Sequence, residues 1–211
     1  MSASDDPTRV GYNRVAAEYA RRFVDELDHK PLERQLLDGF MPGATGRICD
    51  LGCGPGQVAA YLHAQGRAVI GVDLADQMVE AARQLHPDIP FIQADMRHLP
   101  FDDASLAGIV AFYCLIHIPH AEIPTVLAGL HRVLQPNGEI LIGFHVGQEI
   151  RHSDEWLGET VSLDFRFFTV PEMTDWLTHA NFTILACTER GPYPEIEVQT
   201  ERAYIRASKA A

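Results

Sequence analysis

Ile48-Cys49-Asp50-Leu51-Gly52-Cys53-Gly54-Pro55-Gly56 is the stretch that decides how this chain folds. A mostly apolar run enters a turn with glycines at 52, 54 and 56, and a segment with helical patterning follows from Gln57 to Gly66. The pattern predicts a short buried strand, a glycine-rich turn and a helix. Glycine lacks Cβ, so the turn can take φ > 0 and let a ligand lie against bare backbone. The first amides of the next helix favour negative charge in front of them. Such a turn suits a nucleoside-containing cofactor.

The spacing narrows the choice. A dinucleotide turn of the form G-x-G-x-x-G needs its third glycine at position 57, where this chain has Gln57. Asp50 precedes the turn, and a carboxylate there repels a pyrophosphate but attracts an ammonium. An NAD(P)-dependent oxidoreductase therefore fits these residues less well. Asp50 to Gly56 resembles the first motif of the class I S-adenosylmethionine-dependent methyltransferases.

Later segments support that resemblance in the order the family requires. Ala68 to Asp73 reads as a second strand ending in an acid, 21 residues after Gly52. Phe91 to Met96 reads as a third, carrying Asp95 at its end. Ala107 to Cys114 is a fourth apolar strand, and Val133-Leu134-Gln135-Pro136-Asn137-Gly138 is similar to the family's turn before strand five. The resemblance spans residues 48 to 146 and implies an α/β fold, Rossmann-like. The sheet would have seven mostly parallel strands in the order 3-2-1-4-5-7-6, strand 7 antiparallel, with helices on both faces. It implies S-adenosyl-L-methionine as cofactor and S-adenosyl-L-homocysteine as product. Carried onto this chain, it sets Asp50 beside the methionine ammonium and the backbone of Gly52, Cys53 and Gly54 against the cofactor. Asp73 would accept from the ribose hydroxyls, as an acid does in dinucleotide folds. Asp95 would accept from the adenine amino group, Met96 or Leu74 would pack on the ring, and Met78 and Phe112 complete the expected contacts. A non-catalytic S-adenosylmethionine-binding protein would keep the same acids.

Composition sets limits. The chain has 211 residues, 46% of them hydrophobic, enough for one α/β domain with its own core. The formal charge is −12 with no cluster of Lys and Arg, which argues against nucleic acid and against a polybasic membrane patch. There is no apolar run of about 18 residues or more, and Met1 to Asp6 lacks the features of a secretion signal. Cys49, Cys53, Cys114 and Cys187 form no C-x-x-C pair and suit reduced thiols in a cytoplasmic protein. Cys53 fits the turn as a small residue rather than as a nucleophile. No histidine lies in a zinc-like motif and no acid follows strand four, so no metal is expected. A small-molecule acceptor is the expected partner, for a monomer or homodimer.

The rest of the chain is organised around that unit, giving a single domain over 1–211. An amphipathic helix is expected over 7–28 and a second over Pro31 to Phe40, forming an N-terminal cap of residues 1–40. Met41 to Gly46 punctuates the entry to strand one. Thr169-Val170-Pro171-Glu172 reads as a capping box opening a helix to about Ala180. Two strands follow, Thr183 to Arg190 and Gln199 to Ser208, joined by a loop over 191–197. In that loop region Arg190, Tyr193, Glu195 and Glu197 can face solvent, a partner or the site.

Candidate site residues come from three places. Tyr12 and Tyr19, seven apart, share one helical face and resemble the cofactor-covering helix of many small-molecule methyltransferases. Open α/β sheets bind ligands beyond the carboxyl ends of their strands. That selects Tyr113 and His117 after strand four and His145 at the end of strand five, each a candidate for handling the acceptor and its proton. His152, among Arg151, Asp154 and Glu155, reads as a surface residue. Residues 147–170 form a long connection rich in aromatics (Trp156, Phe165, Phe167, Phe168), read as a lid that makes an apolar pocket with Tyr113 for a ring-containing acceptor.

Overall fold

The computed structural model describes residues 6–43 and 45–210. Met1 to Asp5 of the N-terminal stretch, Ala44 of the entry to strand one, and Ala211 lie outside the described residues. Helix α1 (Pro7–Phe23) opens on Asp6, whose carboxylate accepts from the Thr8 amide at 2.8 Å, with Pro7 preset for the first turn. The helix expected over 7–28 stops early. After Phe23 a 3₁₀ turn over Glu26–His29 buries Leu27, and α2 (Pro31–Gly39) restarts on Pro31.

Among the described residues nine strands follow the two cap helices. They are β1 (Ile48–Leu51), β2 (Val69–Asp73), β3 (Phe91–Gln93), β4 (Leu106–Phe112), β5 (Leu134–His145), β6 (Ile150–Trp156), β7 (Glu159–Arg166), β8 (Phe182–Arg190) and β9 (Arg202–Lys209). The main sheet has the order β3-β2-β1-β4-β5-β9-β8. Pairs from β3 through β5 are parallel, and β9 runs antiparallel to both β5 and β8. This is the expected seven-stranded topology, with its last two strands numbered eight and nine because a separate hairpin precedes them.

Strand alternation explains why the sheet has two covered faces. Cys49, Leu51, Ile109, Ala111, Ile140 and Ile142 turn to one core, where they meet α5 (Ile123–Val133) and α6 (Val170–His179). Ile48, Val69, Val110 and Leu141 turn to the other, against α2, α3 (Gln57–Ala64) and α4 (Asp76–Leu85). Helix α6 opens with the capping box: Thr169 and Glu172 satisfy each other's amides.

Residues 147–170 are not an irregular connection. Most of the segment is the antiparallel pair β6–β7, closed by the Trp156↔Glu159 pairing around Leu157 and Gly158. Both turn residues have φ > 0, at 52° and 84°, as a two-residue hairpin turn of matching twist requires. Val161 and Leu163 of β7 are buried against α1 with Val15 and Ala16. A Cβ on Gly11 would stand 2.8 Å from Leu163, so the helix backbone rests directly on the hairpin.

Candidate cofactor and acceptor site

The carboxyl ends of β1, β2, β4 and β5 open into a cavity of about 490 Å³, roofed by α1, the hairpin and the loop before β9. The cofactor and acceptor residues anticipated above line it: Tyr12, Tyr19, Asp50, Gly52, Cys53, Gly54, Asp73, Leu74, Met78, Asp95, Met96, Phe112, Tyr113, His117 and His145. Of the expected lid aromatics Trp156, Phe165 and Phe167 line it too, whereas Phe168 is buried in the core against Phe144 and Trp176.

The glycine turn forms its floor. Gly52 has φ 67°, and a Cβ there would lie 2.2 Å from that of Cys114, so both conformation and space exclude a side chain. Asp73 is spent partly on holding this turn. Its Oδ2 accepts the Gly54 amide and its Oδ1 the Ala75 amide, each at 2.8 Å. Burial raises its pKa while those amides oppose the shift. Asp50 is 3% exposed and accepts the Ala59 amide at 2.9 Å. Burial, reinforced by the charge of Asp73, pushes its carboxyl up to about 7 although the Ala59 amide works the other way. Asp95 accepts the Arg97 amide at 2.9 Å and pairs with the Arg97 guanidinium at 3.2 Å. Arg97 also reaches Asp6 at 3.4 Å and Glu122 at 2.7 Å, tying the start of α1 to the end of β3.

The roof is aromatic. Tyr12, Tyr19 and Trp156 meet edge to face with centroids 5.5–6.2 Å apart. Arg9 and Asn13 fix α1 to the first turn of α4 through Asp76, at 3.1 and 2.8 Å. His117 joins the layers. Its Nδ1 lies 2.9 Å from the Asp164 carbonyl, which can only accept, so Nδ1 carries the hydrogen. In the neutral ring Nε2 then accepts from the Tyr12 hydroxyl at 2.7 Å. Burial lowers the His117 pKa to about 4, which keeps the ring neutral.

The far end holds the acceptor candidates. His145 lies between the rings of Tyr113 and Phe167, with centroids 5.0 and 5.3 Å away, and its Nδ1 is 2.9 Å from Thr200 Oγ1. Burial, followed by the positive charge of Arg202, lowers its pKa to about 4. Tyr113 has φ 55° and bonds hydroxyl to hydroxyl with Tyr204 at 2.5 Å. Behind it lies a buried charge network that the sequence did not disclose. Glu33, 1% exposed, bonds Arg190 and the Tyr204 hydroxyl. Glu197 pairs with Arg190 at 2.7 Å, Lys30 at 3.4 Å and Arg202 at 3.4 Å. Burial penalises the Glu197 charge, but Arg190, the Tyr193 amide and the other cations hold its pKa at about 2. Arg190 and Glu197 thus face inward, whereas Glu195 is exposed. His152 is a surface residue paired with Asp164 and Asp154.

Comparison with known proteins agrees with this geometry. A methyltransferase-domain family model matches residues 48–138, the glycine turn through the start of β5. A malonyl-[acyl-carrier protein] O-methyltransferase of Erwinia pyrifoliae is 27% identical over 201 residues, covering 90% of this chain and 74% of that protein. This chain is a class I S-adenosylmethionine-dependent methyltransferase. The bifunctional biotin-biosynthesis protein BioHC of Cellvibrio japonicus is 33% identical over 142 residues, but the match spans only 28% of its length. Among solved structures, the Burkholderia thailandensis 1,6-didemethyltoxoflavin-N1-methyltransferase, with 1,6-didemethyltoxoflavin and S-adenosylhomocysteine bound, superposes with TM-score 0.75. It is 23% identical, covering 97% of this chain and 88% of that one. A Haloferax volcanii protein solved with the Trm112 methyltransferase activator has TM-score 0.76 at 20% identity, with 96% and 97% covered. These two likenesses describe the fold.

The methyltransferase's cofactor is S-adenosylmethionine, and the residues present fit it. A bare-backbone turn, three carboxylates at the ends of β1, β2 and β3, and an aromatic roof match a ligand made of an ammonium-bearing chain, a diol and a flat base. Among the described residues no helix is long and apolar enough to cross a membrane.

Proposed function

We propose that this methyltransferase moves a methyl group onto an oxygen or nitrogen of a small, ring-containing molecule seated at the His145–Tyr113–Phe167 end of the cavity. The observation that carries the reading is the continuity of that aromatic end with the glycine turn in one cavity of about 490 Å³. The size suits a cofactor and a compact acceptor together. The relatives named above methylate, by their names, an oxygen in one case and a nitrogen in the other. The whole chain is taken as one methyltransferase unit, with residues 1–40 as cap and 147–170 as the acceptor-side lid.

The cofactor brings an already activated methyl group, so the protein supplies position and electrostatics. Asp73 is assigned to the ribose, Asp95 with Met96 and Leu74 to the adenine, and Asp50 with the turn backbone to the amino-acid end. Met78, Phe112, Tyr19 and Tyr12 wall the same space. His145, neutral near pH 7, is assigned as the acceptor of a proton from a hydroxyl or N–H nucleophile. Tyr113 positions the acceptor's ring, and His117 positions Tyr12. A carboxylate acceptor would need no base.

The test is incubation with S-adenosylmethionine carrying a labelled methyl group and a panel of phenols, heteroaromatic nitrogen compounds and small acids. Label in a ring-containing product supports the reading. Label only in non-ring acids, or binding without transfer to any acceptor, removes it.

A further inference from the structure

We propose that Thr200 is a positioning residue for methyl transfer: its hydroxyl takes the Nδ1–H of His145 and so leaves the bare Nε2 to receive the acceptor's proton. The proposal deepens the base assignment of His145 above and rests on it.

A neutral imidazole has one N–H and one lone pair, and only the nitrogen without hydrogen can act as a base. Which nitrogen that is depends on the partner of the other. The two histidines at the strand ends differ here. His117 has both nitrogens engaged, Nδ1 with the Asp164 carbonyl and Nε2 with the Tyr12 hydroxyl. His145 has one. Its Nδ1 lies 2.9 Å from Thr200 Oγ1, and its Nε2 has no hydrogen-bond partner among the described residues.

The fold fixes this contact. His145 ends β5 and pairs with Arg202, the first residue of β9. Thr200 precedes Arg202 by two, and both line the cavity. Arg202, 3% exposed, donates to the carbonyls of Thr200 at 2.6 Å and Val198 at 3.0 Å. The Thr200 amide donates to the Val198 carbonyl at 2.9 Å. A buried guanidinium thus holds Thr200, itself 7% exposed, against His145.

A hydroxyl has one hydrogen to give and two lone pairs. The Val198 carbonyl, 3.4 Å from Thr200 Oγ1, takes that hydrogen and leaves a lone pair for Nδ1–H. Nε2 receives the proton of the acceptor oxygen as that oxygen bonds the methyl group and the sulfur keeps the electron pair of the broken bond. The ring becomes an imidazolium that still carries Nδ1–H, and the same lone pair serves it without reorganisation. With the hydroxyl turned toward Nδ1 as donor, the hydrogen would sit on Nε2 and the ring could only donate into the cavity. The charged and titratable groups around the ring are Arg202 of β9, Glu197 of the loop before it, Arg151 of β6, Lys30 ahead of α2 and Tyr113 after β4. None of them bonds a ring nitrogen among the described residues, so Thr200 sets the tautomer.

Nitrogen NMR of the protein with isotope-labelled histidine reads that tautomer, His145 being identified by its loss from the spectrum of His145→Gln. Around neutral pH the wild type should carry the hydrogen mainly on Nδ1. Thr200→Val keeps the shape and removes the lone pair, so the hydrogen should move to Nε2. Methyl transfer to a phenol should then slow about tenfold to a hundredfold in kcat, the worth of one hydrogen bond to a charged group. Acceptor KM and S-adenosylhomocysteine affinity should stay within about twofold, and Thr200→Ser should recover most of the rate. Hydrogen mainly on Nε2 in the wild type overturns the proposal, and so does a Thr200→Val enzyme of normal rate beside a slow His145→Ala. If Thr200→Val does not fold, the wild-type spectrum still decides. Undiminished turnover in His145→Ala would remove the base role itself and this proposal with it.

Discussion

Replacing Asp73 by alanine tests the link between the fold and the cofactor site, because this carboxylate holds the glycine turn and is the group assigned to the ribose. In the ligand-free protein its oxygens accept the Gly54 and Ala75 amides, each at 2.8 Å. Hydrogen bonds to a charged group contribute about 1.5–3 kcal/mol each. Two are lost in Asp73→Ala, but water in the open cavity replaces part of them, and the cost of burying the carboxylate disappears. The net loss should be about 2–3 kcal/mol. For a chain of this length each kcal/mol moves the melting temperature by about 2–4 °C, so the variant should melt roughly 4–12 °C lower. Ligand binding adds a second readout. S-adenosylhomocysteine at about 100 times its dissociation constant stabilises the wild type by about 2.7 kcal/mol. Loss of the ribose contact weakens binding about tenfold to a hundredfold, so the same concentration should stabilise the variant by only about 0.4–1.4 kcal/mol. Asp73→Asn keeps one acceptor and should fall between. Thermal melts with and without ligand measure both quantities. If Asp73→Ala melts within about 1 °C of wild type and responds equally to the ligand, the turn-holding and ribose roles are both refuted.

Arg190→Met leaves Glu33 and Glu197 as buried charges without their main partner and should cost about 3–5 kcal/mol in chemical denaturation; a cost below about 1 kcal/mol would show that the network is not what holds the late loop. His145→Ala should slow methyl transfer to a protonated acceptor about a hundredfold while leaving S-adenosylhomocysteine affinity unchanged; undiminished turnover clears His145 of the base role. Between about pH 4 and 6.5 the unfolded chain holds protons on His117 and His145 that the folded protein lacks, both folded values being about 4. Over the same range the folded protein holds one on Asp50, at about 7, that the unfolded chain has released. Over these three groups the unfolded state thus binds about one more proton, and their contribution to stability should fall on acidification by at most about 1.4 kcal/mol per pH unit; in a variant with both histidines replaced, a melting temperature that falls from pH 6.5 to 4.5 as steeply as in the wild type contradicts this. Cofactor affinity should rise from about pH 6 to 8 as Asp50 ionises beside the ligand's ammonium, and Asp50→Asn should flatten the curve in the same titrations.

The residues that line the cavity around the glycine turn were legible because they sit at fixed places in a repeating unit. Each parallel strand ends where its neighbours end, so Asp50, Asp73 and Asp95 converge from strand ends alone. The hairpin β6–β7 was hidden for a local reason. Its turn is Leu157-Gly158 rather than an Asn-Gly pair, and β6 is polar along most of its length. The alternation of Val161, Leu163 and Phe165 in β7 was the available signal. The charge network had no local signal at all. Glu33 and Arg190 are 157 residues apart, and only the return of β8 and β9 against the cap brings them together.

A crystal structure of the protein with S-adenosylhomocysteine decides where the cofactor lies and which way its sulfur faces. The ligand should lie in the cavity beneath Tyr12 and Trp156, its ribose on Asp73, its adenine beside Asp95 and Met96, and its sulfur directed toward the His145–Tyr113 end. A ligand elsewhere on the molecule, or one whose sulfur faces away from that end, would contradict this placement.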